Sequence, residues 1–359
     1  MSAVDDMFKK WNSAAKYQLA QSGVSWEKVD RIPVSSPRIS YLTYGGLPCP
    51  GLVELSGPES SGKTLLALDA VSNAQKKWPD RDVVWFDIEA TFDSRWAALQ
   101  GVDIRKIKYV CPQEEYGEEI FQMIIDLLEN KDTDISLIVL DSVAALISKQ
   151  EYEKDQDEAT MGGIAKPLTR FCNRLAPLLR KKHCTFIAIN QVREDMNSMY
   201  GNETTPGGRG LRHTASMRLQ LRKSDNIDEA GNVISSQAEN PAGHLVKVKI
   251  LKTKVSRPDR KLAFYTLRYL TGIDAMADLI DVGVKLKVFR QAGAWFYAPN
   301  EDGEEQGFQG KAKFRAFLED NPESYKMYWE HINAQISKED DEEEARYMQS
   351  LLEADEKDS

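Results

Sequence analysis

Eight consecutive residues constrain this chain more than any other feature: Gly57, Pro58, Glu59, Ser60, Ser61, Gly62, Lys63 and Thr64. They match GxxxxGK[ST] in full, between a strand-like run, Leu52 to Ser56, and a helix-forming run, Leu65 to Lys77. A turn of this kind, between a strand and a helix, wraps its backbone amides around a phosphate, with the helix N-terminus behind them. All eight are therefore expected to bind the phosphates of ATP. The Lys63 ammonium would lie along the β- and γ-phosphates, and the Thr64 hydroxyl would complete the shell of a Mg2+ ion.

The rest of the chain is patterned to match. From Gly46 onward strands alternate with helices, the signature of a mostly parallel sheet in an α/β fold. Val83 to Ile88, Leu137 to Leu140 and Thr185 to Ile189 are continuous apolar runs, as suits strands buried on both faces. Glu118 to Leu128 and Pro167 to Lys182 read as helices, and Val143 to Ile147 continues the apolar character beyond Leu140. Met217 to Arg222 and Leu245 to Leu251 alternate like half-buried strands, followed by Leu262 to Leu270. The expected organisation is an N-terminal helix and linker over residues 1–45, with an amphipathic run from Met7 to Gln21. An ATPase core over 46–271, a small C-terminal α/β domain over 272–336 and an acidic tail over 337–359 complete it.

Other candidate site residues fall at the C-terminal ends of the strands, where open α/β sheets bind ligands. Asp141 follows Leu137 to Leu140 and is placed to reach Mg2+. Glu89 and Asp87 both stand at the end of Val83 to Ile88, and either carboxylate could orient and deprotonate the attacking water. Asp93 and Trp96 are spaced to bracket a nucleobase, although a core tryptophan would follow the same pattern. Asn190 and Gln191 end a further strand, where an amide can sense a γ-phosphate and pass its presence onward. The next segment, Val192 to His213, is long, glycine-rich and without periodicity. Its Arg193, Tyr200, Gly207, Gly208, Arg209 and Arg212 suit a sugar-phosphate backbone.

The formal net charge of −9 would argue against nucleic acid, but it is concentrated. Lys338 to Ser359 holds ten acidic and three basic residues, so the remaining body is nearly neutral and has room for basic patches. The four cysteines, Cys49, Cys111, Cys172 and Cys184, form no CxxC pair and are expected as reduced, buried thiols in the cytoplasm. No stretch approaches the length of a membrane-spanning helix, and the charged N-terminus lacks the apolar core of a signal peptide.

Taken together, these motifs resemble the RecA family. The resemblance rests on GPESSGKT, on VLDSVAAL around Asp141, on the Asn190-Gln191 pair with its loop, and on DLIDVGVKLK and AGAWF further on. It implies a RecA-type P-loop NTPase core with ATP bound between adjacent subunits, in a homo-oligomeric helical filament. Such a filament assembles on single-stranded DNA and exchanges strands with homologous double-stranded DNA. By this resemblance Glu89, within IEATFD, is the water-activating glutamate, Gln191 the switch, and Asp93 and Trp96 the adenine contacts. Met161, Gly162, Gly163 and Lys166 match the first DNA-binding loop, and Arg193 to Arg212 the second. Lys252 and Lys254, which alone would read as solvated charges, match lysines that reach the neighbouring subunit's ATP.

Departures from the pattern are also visible. The first 45 residues are short for the family's polymerisation segment, and Asp155, Asp157 and Glu158 make the first loop acidic. This compact form suggests a bacteriophage member. Two alternatives share the phosphate loop: a hexameric RecA-fold helicase or motor, and an ATP-binding filament regulator without productive turnover.

Overall fold

The computed structural model describes residues 3–14, 29–153, 163–194, 203–300 and 303–336. The chain forms two compact units, 1–30 and 31–359. In the first, helix α1 (Ala3–Ala14) exposes Val4, Met7 and Trp11. It begins four residues before the expected Met7, because Asp5 and Asp6 suit the positive end of a helix, a signal that apolar spacing does not carry. The expected extension from residue 15 to Gln21 lies outside the described residues.

The second unit is built on a ten-stranded sheet. Its main strands are β1 (Gly51–Gly57), β2 (Asp82–Asp87), β3 (Ile107–Val110), β4 (Ile135–Asp141), β5 (Thr185–Gln191), β6 (Met217–Ile227), β7 (Gly243–Thr253), β8 (Leu262–Arg268) and β9 (Gly272–Ile273). They lie in the order β9-β8-β7-β6-β1-β5-β4-β2-β3. From β6 to β3 all neighbours are parallel, and β7, β8 and β9 continue the sheet antiparallel.

Helix α2 (Pro37–Leu42) precedes the sheet. It is followed by α3 (Lys63–Lys77), α4 (Ser94–Leu99), α5 (Gly117–Glu129), α6 (Ala165–Lys182) and α7 (Gly208–Thr214). The continuous apolar strands have a simple cause. Val53, Leu55, Val83, Trp85, Leu137, Val139, Ile187 and Ile189 pack on one face with Leu65, Leu66 and Val71 of α3. The alternate residues Leu52, Val84, Phe86, Ile138, Leu140 and Phe186 pack on the other with Ile120 and Ile124 of α5 and Phe171 and Leu175 of α6. Both faces are dry, so both sets must be apolar.

Register then aligns the strand ends. Gly57 pairs with Gln191, and Asp87 with Asp141, so four candidate positions share one edge of the sheet.

Three expectations are corrected here. The segment Val192 to His213 is not irregular throughout: Arg193–Glu194 pairs with Glu203–Thr204, and α7 begins at Gly208. Within this glycine-rich segment Gly210 serves close packing, since a Cβ there would lie 2.6 Å from the Thr169 Cα of α6. Residues 31–45 belong to the larger unit, with Ile32, Val34, Ile39 and Leu42 in its core. Finally, β9 carries the large sheet past residue 271.

Beyond β9, helix α8 (Ala275–Lys285), a three-stranded sheet (Arg290–Ala292, Trp295–Pro299, Glu305–Gln309), helix α9 (Lys311–Asp320) and a helix over 322–336 enclose their own apolar cluster. That cluster includes Leu279, Phe289, Phe314 and Tyr328. A buried polar cluster ties it to α2 and β8. Asp278 of α8 accepts hydrogen bonds from the Ser36 hydroxyl and the Thr266 amide, with Arg38 Nε at 3.6 Å, while Lys311 Nζ reaches Asp281 at 2.7 Å. Burial pushes the Asp278 carboxyl up to about 7, and burial lowers Lys311 to about 8. None of the cysteines forms a disulfide, and Cys111 is half-buried rather than buried. Among the described residues no helix is long and apolar enough to cross a membrane.

Candidate ATP site and nucleic-acid interface

The phosphate loop leaves β1 at Gly57 and enters α3 at Lys63. Gly62, the residue before α3, has φ +88° and no side chain to cap the helix, so the first-turn amides stay available to a ligand. A Cβ at Gly62 would also meet the Tyr265 hydroxyl at 2.7 Å. Within the loop, the Ser61 hydroxyl is buried with no partner among the described residues, an orphan that a bound anion would complete. Lys63 is buried too, and its Nζ donates to the carbonyls of Gly57 (3.0 Å) and Pro58 (2.6 Å). Burial lowers its pKa against the opposing pull of Asp141, Glu89 and Glu59.

The Thr64 hydroxyl donates to Asp141 Oδ2 at 3.1 Å, joining α3 to the end of β4. Burial raises Asp141 to about 6; the nearby Glu89 and Asp87 push the same way, against Thr64 and Lys63. A carboxylate raised in this manner is short of positive charge. Among the described residues no three His, Cys, Asp or Glu side chains cluster to cage a metal. The Thr64 hydroxyl beside the Asp141 carboxylate fits an ion such as Mg2+, which takes one or two protein oxygens and completes its shell with phosphates and water.

Alternation on a strand does not separate the two carboxylates after β2, and their surroundings in the structure differ. The strand ends at Asp87, which is buried and accepts from the amides of Thr91 (3.2 Å) and Phe92 (2.8 Å) and from the Tyr109 hydroxyl (2.9 Å). Its lone pairs are committed to holding the following turn. Glu89 lies past the strand, exposed, and its Oε1 accepts from the Ser142 hydroxyl and from Gln191 Nε2 at 3.5 Å. Glu89, Gln191 and the phosphate loop thus meet at one edge.

Asp93 is exposed and caps α4, accepting from the amides of Arg95 (2.8 Å) and Trp96 (3.0 Å). Trp96 is half-buried, and part of its ring packs on the core.

Asn190 turns away from this edge. Its Nδ2 donates to Glu54 Oε1 (3.0 Å) and to the Pro206 carbonyl (3.1 Å), and fully buried Glu54 also pairs with Arg218 of β6. This Arg218–Glu54–Asn190 network beneath the second loop was not foreseen. Its signal was legible, because a charge inside the apolar run Leu52-Val53-Glu54-Leu55 must find a partner if the strand is buried.

Of the nucleic-acid candidates, Met161, Gly162 and Tyr200 lie outside the described residues. Gly163 leads into α6, where Lys166 is exposed. Arg193 lies in the short strand pair, and Gly207 and Gly208 open α7. Arg209 is exposed, while Arg212 is half-buried and donates to the Thr205 carbonyl at 3.3 Å. The starts of α6 and α7 lie close together: a Cβ on Gly208 would lie 3.0 Å from the Ala165 Cβ. Lys252 and Lys254 are engaged within their own subunit. Lys252 Nζ donates to the carbonyls of Arg212 (2.6 Å) and His213 (2.7 Å), and Lys254 Nζ to His213 at 2.8 Å, so both clasp the C-terminal end of α7.

The sequence comparisons agree with this architecture. The RecA N-terminal domain family matches residues 1–274, and the RecA C-terminal domain family matches residues 277–338. The protein named Protein RecA from Aquifex aeolicus (strain VF5) is 33% identical over 323 residues, covering 89% of this chain and 88% of its own length. With a P-loop NTPase core on a mostly parallel sheet and a small C-terminal α/β domain, the chain belongs to the RecA family.

Proposed function

We propose that this protein is a DNA-dependent ATPase that assembles as a helical filament on single-stranded DNA and drives homologous pairing and strand exchange. The observation that carries the reading is the meeting of the phosphate loop, Asp141, Glu89 and Gln191 at one sheet edge, with Lys252 and Lys254 tied to the helix that carries Arg209 and Arg212.

In this reading the loop amides and Lys63 bind the triphosphate of ATP, and Asp93 and Trp96 hold the base. Thr64 and Asp141 would hold Mg2+, which would supply positive charge beside the phosphates. Lys63 exchanges its carbonyl partners for phosphate oxygens. Glu89 orients the attacking water and accepts its proton. Gln191 leaves Glu89 for the γ-phosphate and reports its presence to the second loop. Lys166, Arg193, Arg209 and Arg212 hold the sugar-phosphate backbone of the bound strand, and base pairing reads its sequence. Lys252 and Lys254 reach the neighbouring subunit's ATP, so hydrolysis depends on assembly.

The test is electron microscopy of the protein with ATP and single-stranded DNA, alongside turnover with and without that DNA. Regular filaments with DNA-stimulated hydrolysis are expected. Closed rings, or filaments without turnover, would overturn the reading.

A further inference from the structure

Ser142 follows Asp141 and stands where a serine ordinarily caps a helix, directly before the short 3-10 turn Val143–Ala145. Its side chain makes no capping bond. The hydroxyl instead donates across to Glu89 Oε1, although the two residues are 53 positions apart in the chain. The two side chains are unequal: Ser142 is 1% exposed, whereas Glu89 is exposed. Both hydrogen bonds that Glu89 receives, from Ser142 and from Gln191, fall on the same oxygen. Among the described residues Oε2 takes none.

We infer that Ser142 is a positioning residue for ATP hydrolysis: its buried hydroxyl fixes the Glu89 carboxylate through Oε1 and leaves Oε2 for the attacking water. The inference rests on the role proposed above for Glu89. Stability does not explain the contact, because an exposed carboxylate that loses one donor regains water. Orientation does. A flexible glutamate on the bend after β2 samples several rotamers, and a rigid donor on the neighbouring strand end selects one. Two anchors on Oε1 also divide the work. Gln191 can leave for a phosphate, while Ser142, held next to Asp141 at the end of β4, keeps the carboxylate in register with the metal side of the site.

The experiment measures turnover of the full chain with single-stranded DNA at saturating and limiting ATP. Ser142→Ala should lower kcat about 10- to 100-fold, the effect of a misplaced catalytic group, with KM for ATP within about twofold of the wild type. Ser142→Cys, of similar volume but a weak donor, should fall between them. The deciding comparison is a double-mutant cycle. In a Glu89→Gln background, Ser142→Ala should cost nothing further, because the group it positions is gone. Wild-type kcat in Ser142→Ala, with Glu89→Gln impaired, would overturn the inference and leave the proposed function standing. An equal further fall in the Glu89→Gln background would also overturn it, since Ser142 would then act through Asp141. Full turnover in Glu89→Gln itself would remove both the proposed catalytic role and the residue that depends on it.

Discussion

Neighbouring side chains give two chemically equivalent groups different surroundings. Asp87 and Glu89 are both carboxylates near the end of one strand, but Asp87 is held by three donors whereas Glu89 stands free of the strand beside Ser142 and Gln191. Asp87→Asn sets an amide against the donors that Asp87 now accepts and should cost about 1–3 kcal/mol of stability, read as a lower thermal midpoint. Glu89→Gln should leave that midpoint unchanged and slow hydrolysis by two orders of magnitude or so, as expected when proton transfer by a positioned base is lost. The reverse pattern would show that Asp87 is the base. Lys63→Ala is expected to abolish measurable turnover, since it removes the charge that meets the transferring phosphate, with roughly a 10²- to 10³-fold loss as the minimum. It should leave the far-ultraviolet spectrum intact, because among the described residues Lys63 bonds to two loop carbonyls of its own turn.

At the level of elements, the informative contact is between β7 and α7. Lys252 and Lys254 place their ammonium groups on the carbonyls that end α7, where positive charge suits the negative end of a helix. Burial, and then its neighbour Lys254, lowers the pKa of Lys252, so the clasp holds two like charges together over those carbonyls. Replacing both lysines with alanine should fray α7, seen as faster hydrogen exchange of the amides near Thr214 in the isolated subunit. If the same lysines reach a neighbour's ATP, the double variant should also lose most DNA-stimulated turnover while ATP binding at low protein concentration changes little. Faster exchange with full DNA-stimulated turnover would leave the lysines as a helix clasp alone.

Across the larger unit, the apolar cluster beyond β9 is joined to α2 and β8 by buried charge. Asp278 has its folded pKa raised to about 7 from an ordinary value of 3.8. The folded state therefore holds that proton more tightly than the unfolded state. This contribution to stability is fully present below about pH 4 and is lost as pH rises towards 7. Lys311 is lowered to about 8 from 10.5, so its contribution is lost as pH falls through that window, above the range where Asp278 titrates. Asp278→Asn mimics the protonated carboxyl. Its thermal midpoint should depend less on pH between about 5 and 8 than the wild type's, with any gain appearing at the upper end. Parallel midpoint curves for the two proteins would mean that Asp278 ionises normally.

The P-loop core was readable from the chain's own pattern, because each feature involved is local. A glycine-rich turn between a strand and a helix, and apolar strands that end in polar residues, follow from steric freedom and burial within a few neighbouring positions. The same locality made Lys63, Thr64, Asp141 and Gln191 legible as candidate site residues. Features that depend on groups far apart in the chain became visible only in the folded sheet. It gave Glu89 and Asp87 different partners by bringing Ser142 and Tyr109 to them, and it paired Glu54 with Arg218 and Asn190 across three strands. It also turned a glycine-rich segment into α7, because Gly210 lets that helix lie against α6. Hydrogen bonds and close packing between distant residues have no periodicity, and only the assembled sheet brings their partners within reach.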